Sequence, residues 1–123
     1  MLFLAAALAA APAAAMDQPV LLRSDPAQGE ATRNLPMAVR LRFNQPMRLD
    51  RLQVFDSAGV KQTVRRSHDA AKPALEQRGG LPRLRPGEYR TEWAASSPAG
   101  QSISGTLLFE ARDRQDAQQA ARP

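Results

Sequence analysis

Prolines and glycines punctuate this chain at short intervals, ten of the first and seven of the second in 123 residues. Between them no segment sustains the 3.6-residue apolar period of an amphipathic helix. What recurs is the period of two expected of a half-buried strand. Met37, Val39, Leu41 and Phe43 alternate with Ala38, Arg40 and Arg42, so the first set is predicted to face a core and the second to face water. Leu52 and Val54 begin another strand that ends at Asp56-Ser57-Ala58-Gly59, a turn signal, and residues 60–65 are expected to pair back as a hairpin. Residues 68–72 read as a polar connection, and 74–77 as a short strand before Gly79-Gly80. Pro86-Gly87 turns the chain into a strand with Tyr89, Thr91, Trp93 and Ala95 on one face, and Ile103, Gly105, Leu107 and Phe109 alternate in the last strand. With residues 20–23 this makes about seven short strands, the pattern of an all-β antiparallel sandwich.

The predicted core is Val39, Leu41, Phe43, Leu52, Val54, Tyr89, Trp93, Ile103, Leu107 and Phe109. Within it Tyr89 and Trp93 are assigned structural roles. A tyrosine just after a Pro-Gly turn can return its hydroxyl to the turn backbone, as a tyrosine corner does in immunoglobulin-like folds. From Arg112 to Pro123 the chain is Arg, Asp, Gln and Ala with no apolar face, and is expected to be a disordered polar tail.

Met1 to Met16 carries no charge and is rich in Ala and Leu. It is too short to span a bilayer, which takes ~20 apolar residues. It fits the apolar part of a secretory signal, with Ala13-Ala14-Ala15 as the cleavage site. The usual basic start is missing, so either the signal is weak or the start codon lies upstream of Met1. Residues 1–15 are therefore read as a signal peptide and 16–111 as one domain. The absence of cysteine rules out both a disulfide staple and a lipid-modified anchor, so the mature protein is expected to be soluble rather than membrane-embedded.

The net charge of +5 comes mostly from arginines interleaved with Asp and Glu. One Trp and one Tyr supply no stacking platform for bases, so nucleic acid is not expected as a partner. The loops around Arg48-Leu49-Asp50-Arg51 and Val64-Arg65-Arg66 offer a basic surface for an acidic partner. Ser67-His68-Asp69 holds triad residue types, but adjacent residues cannot converge as a triad must. No paired-carboxylate motif, phosphate loop or metalloprotease spacing appears, and the chain is not read as an enzyme.

Three ordered sets of residues carry a family resemblance. The first is Leu21-x-x-Ser24-x-Pro26-Ala27-x-Gly29. The second is Val39-x-Leu41-x-Phe43-x-x-Pro46, then Val54-x-Asp56 and Gly59. The third is Leu84-x-Pro86-Gly87-x-Tyr89-x-x-x-Trp93, then Ser97, Gly100, Gly105 and Phe109. Together they resemble the CopC-type copper-resistance family across essentially the whole mature domain. The resemblance implies a Greek-key, immunoglobulin-like β-sandwich, a periplasmic location and a role in copper homeostasis, with a membrane copper transporter or another periplasmic protein as partner.

It also implies where copper would sit. In family members a histidine three residues before the Leu21 position gives its amine and imidazole to Cu(II), and an Asp-Gly-His before the last strand gives a carboxylate and a second imidazole. Here those positions are Gln18, Ala99 and Gln101. Cleavage after Ala15 would moreover put the free amine on Met16. An amide oxygen is a neutral donor and its nitrogen is not basic, so this set is a degenerate Cu(II) site. Some members hold Cu(I) on methionines, for which thioethers are suited. Met16 and Met47, the latter expected in a loop after Pro46, are the candidates for a weak Cu(I) site, and Met37 is expected in the core. Two readings follow: a copper-homeostasis accessory protein with weak or lost Cu(II) binding, or a metal-free protein-interaction module on the same sandwich.

Overall fold

The structure is a computed structural model and describes residues 18–67 and 69–114. The signal peptide expected at 1–15, Met16, His68 and most of the expected tail lie outside the described residues. Seven strands are present and no helical element joins them among the described residues. They are β1 (Leu21–Asp25), β2 (Ala38–Asp56), β3 (Lys61–Gln62), β4 (Arg65–Arg66), β5 (Ala74–Gly80), β6 (Gly87–Ser96) and β7 (Ser102–Ala111). All strand pairs are antiparallel, as the alternating pattern predicts.

β2 belongs to both layers. Its first half pairs with β1 on one side and β5 on the other, and β5 carries β4. Its second half pairs with β6 and β3, and β6 carries β7. Strands that pass from sheet to sheet do so at bulges and bends, and β2 has both. Arg42 faces Glu76 of β5, yet the next aligned pair is Met47 with Ala74, so residues 43–46 run long against their partner. Further on, Leu49 faces Ala95 and Arg51 faces Ala94, which leaves Asp50 as an extra residue. Because side chains alternate with a period of two, one inserted residue moves the inward set from odd to even positions. Val39, Leu41, Phe43, Met47 and Leu49 are buried before the bulge, and Leu52 and Val54 after it.

Four expectations are corrected here. Residues 38–56 form one strand, not two, and Met47 is not in a loop but fully buried in it. Pro46 reads as a break in the sequence, but it falls in the irregular stretch where no partner on β5 needs its missing N–H. Met37 is 84% exposed rather than core. It lies one residue before β2, and the facing strand already ends at Gly80, the partner of Ala38. The 60–65 hairpin is real only for Lys61 and Gln62, which pair with Phe55 and Val54. Arg65 and Arg66 cross to the other sheet and pair with Gly80 and Gly79. The crossing drops Val64 onto the core beside Gly79, where an added Cβ would overlap both Leu52 and Val64.

The core fills the space between the layers. Phe43 and Trp93 meet at 5.7 Å with rings tilted by 60°, and Tyr89 stacks on Phe109 at 5.6 Å. Gly105 lies under the Trp93 indole, where a Cβ would come within 3.0 Å of the ring. Gln77, buried in the middle of β5, donates through Nε2 to the carbonyls of Met47 at 2.8 Å and Lys72 at 2.9 Å, which ties the irregular part of β2 to the connection before β5. The chain also stays anchored past residue 111. Arg112 N donates to Thr32 Oγ1 at 3.0 Å, and its guanidinium pairs with Glu110 at 3.2 Å.

Candidate metal site

The positions singled out by sequence lie on two segments that both attach to β2. Gln18 precedes β1 and is exposed. Asn44, in the irregular stretch of β2, holds this segment. Its Nδ2 donates to the Gln18 carbonyl at 2.8 Å, its Oδ1 accepts from Val20 N at 2.8 Å, and its own N–H donates to the Val20 carbonyl at 3.1 Å. Asn44 was not foreseen as a clamp. The available signal was an uncharged amide where the alternation of β2 breaks down, just before a proline.

Ala99 and Gln101 lie in the loop 97–101, between β6 and β7, whose strand ends Ser96 and Ser102 face each other. Ser96 also faces Arg48 of β2. Asn44 and Arg48 thus bracket the stretch of β2 to which both candidate segments are tied. The loop is closed by its own backbone. Gly100 N donates to the Ser97 carbonyl at 2.9 Å, and Ser97 N to the Gln101 carbonyl at 2.8 Å. Ser97 Oγ, buried, accepts from Gln101 N at 3.1 Å. Pro98 takes the second position of the turn, and Gly100 adopts the left-handed conformation at φ +88° that follows such a turn in hairpins. Pro98, Ala99 and Gly100 are exposed and Gln101 is half-buried.

The donors at the three positions are therefore two amides and a methyl group. Neither glutamine side chain makes a hydrogen bond among the described residues. No group of three or more His, Cys, Asp or Glu that could hold a metal ion comes together among the described residues. The donor set does not fit Cu(II), which takes imidazole, amine and carboxylate in a tetragonal arrangement. Of the two methionines expected to hold Cu(I), Met47 is fully buried in the apolar core, and Met16 lies outside the described residues.

At the opposite end of β6, Tyr89 donates its hydroxyl to the Arg85 carbonyl at 2.7 Å and closes the turn at Pro86-Gly87. Burial pushes its phenol above the ordinary value of 10.0, and the nearby Asp56 charge adds to the effect. The Asp56 carboxylate caps the neighbouring turn by accepting from Ala58 N at 2.9 Å and Val60 N at 2.8 Å. Trp93 is buried and its Nε1 has no partner among the described residues.

The basic surface expected at 48–51 and 64–66 is in part structural. Arg66 donates from Nη1 to the Asp50 carbonyl at 3.2 Å and from Nη2 to the Leu49 carbonyl, which fastens β4 to the bulge of β2. Asp50 Oδ1 accepts from Ser96 Oγ at 3.1 Å. No helix among the described residues is long and apolar enough to cross a membrane.

Comparison with known proteins adds two findings. The sequence profile of the CopC domain family matches residues 21–112. Among solved structures, the chain is similar to CopC from Methylosinus trichosporium OB3b, with 21% identity and a TM-score of 0.61 over 76% of this chain and 92% of that one. It is also similar to PcoC, a methionine-rich copper resistance protein from Escherichia coli, with 22% identity and a TM-score of 0.58 over 78% of this chain and 100% of that one. No curated protein sequence matches.

Proposed function

The chain belongs to the CopC domain family, and from that premise we propose that it is a non-enzymatic accessory protein of copper homeostasis and resistance, exported to the periplasm, that works without a tight Cu(II) site. What supports this reading is an intact scaffold with Gln18, Ala99 and Gln101 at the positions where the resemblance implies ligands. Two neutral amides and a methyl group give Cu(II) neither charge compensation nor a basic nitrogen. A membrane copper transporter, or another periplasmic protein of the same pathway, is the partner this reading calls for.

Native mass spectrometry against a competing chelator tests it. The unmodified protein should lose Cu(II) to the chelator. The variant Gln18→His/Ala99→Asp/Gln101→His, with its N-terminus at residue 18, should keep one Cu(II), a gain of at least two decades in affinity, or ~3 kcal/mol. Stoichiometric Cu(II) that survives the chelator on the unmodified protein overturns the reading.

A further inference from the structure

β7 forms one edge of the sheet order, and the two halves of its outer side differ. The C-terminal half is covered by the segment before Thr32. Gly29 N donates to the Leu108 carbonyl at 2.7 Å, Glu110 N to the Glu30 carbonyl at 2.8 Å, and Thr32 N to the Glu110 carbonyl at 2.9 Å. Gln28 Oε1 accepts from Leu108 N at 2.9 Å. These bonds show that the even-numbered residues of β7 turn their backbone groups away from β6. By the alternation of an antiparallel pair, Ser104 and Thr106 do the same. Their outward N–H and C=O groups have no hydrogen-bond partner among the described residues.

This open half is also unprotected in sequence. Ser102-Ile103-Ser104-Gly105-Thr106 has no charge and no proline. The other outer strands carry the usual guards against edge pairing, short length and charge. β1 has Arg23 and Asp25, and β3 and β4, two residues each, contain Lys61, Arg65 and Arg66.

We propose that β7 pairs antiparallel with β7 of a second copy of this chain, about a two-fold axis at Ser104. Three features point to a second copy as the occupant. First, the segment is self-complementary in that register: Ser104 meets Ser104, Ser102 meets Thr106, and Ile103 meets Gly105. Ser–Thr pairs across strands are favourable, and a large side chain fits over a glycine. Second, the register uses only outward-facing backbone groups, those of residues 102, 104 and 106 in each copy. Third, the chain that flanks the pairing, Pro98 to Gln101 and Ala27 to Gly29, is uncharged, so a copy with net charge +5 meets its twin at a neutral seam. The cover over residues 108–110 stops the pairing from extending and keeps the assembly closed at two copies.

The test exploits the absence of cysteine from the chain. Directly opposed residues in a hydrogen-bonded pair have Cα atoms ~5.5 Å apart, within disulfide range. In this register Leu108 is ~26 Å from its own twin. With diamide as oxidant, Ser104→Cys should form a covalent dimer and Leu108→Cys should not. Sedimentation equilibrium from ~10 µM to ~1 mM should show a reversible dimer of the unmodified protein. Thr106→Pro removes an N–H that no described residue of the same chain uses, and should weaken the dimer at least about tenfold while leaving the circular dichroism spectrum unchanged. A protein that stays monomeric over that range, equal crosslinking at 104 and 108, or undiminished association of a folded Thr106→Pro variant overturns the proposal.

Discussion

The two ends of β6 are built from the same kinds of material, a proline-glycine turn at one and a proline-glycine loop at the other, yet they are held in different ways. At the Arg85–Tyr89 end a large aromatic side chain is sunk into the core, stacks on Phe109 and reaches back to fix the turn. At the 97–101 end the loop holds itself, through Ser97 and its own backbone, and offers exposed side chains to solvent. The first end is committed to the fold, so its residue types are set by packing. The second leaves its tip free, so residues there can change without cost to the scaffold. A loop held in this way lets the CopC sandwich stand whatever occupies positions 99 and 101, which is what the proposed loss of ligands there requires.

The contrast makes graded predictions. Tyr89→Ala should cost roughly 3–5 kcal/mol in urea unfolding, because it opens a cavity beside Phe109 and frees the turn. The same residue sets an alkaline limit. Its folded-state value lies above the unfolded one, so its contribution is complete below about pH 10 and is lost as pH rises through the folded value. Tyr89→Phe should flatten that alkaline fall in stability, which thermal melts between neutral and high pH would reveal. Ser97→Ala should cost about 1 kcal/mol, the worth of one hydrogen bond closing the loop. Ala99→Asp with Gln101→His, without copper, should shift stability by less than ~0.5 kcal/mol. A larger loss in this last pair would show that the loop is bound into the fold after all, and the comparison between the ends would collapse.

Much of the architecture was legible in the alternation of apolar residues. The strands at 38–43, 87–96 and 102–111 follow it directly, because a strand that buries one face cannot slip by a residue without exposing its core set. What escaped was β2 as a single strand. Met47, Leu49, Leu52 and Val54 carry the inward pattern across the bulge, but the change of parity at Asp50 hides it from a reading that assumes one unbroken period. Arg66 was read as a surface charge, and its use on the Leu49 and Asp50 carbonyls depends on β4 crossing to the other sheet, which no local signal announces. At the candidate site, Gln18, Ala99 and Gln101 are proposed from the family resemblance, which sequence alone can carry. The clamp by Asn44 could not be read from sequence, since its partners Gln18 and Val20 lie 26 and 24 residues away.

The sequence by itself pointed to a strand-built sandwich, through the period of two in its apolar residues, and its family resemblance put two amides and a methyl group at the positions proposed for a lost Cu(II) site. Both follow from residue type and period, which are local properties. The tertiary structure alone decided which strands share a sheet, that Met47 is core and Met37 surface, and that the outer backbone of half of β7 has no partner among the described residues. Those outcomes depend on what lies opposite each residue across the fold, and hydrogen bonds and burial are settled between segments distant in sequence.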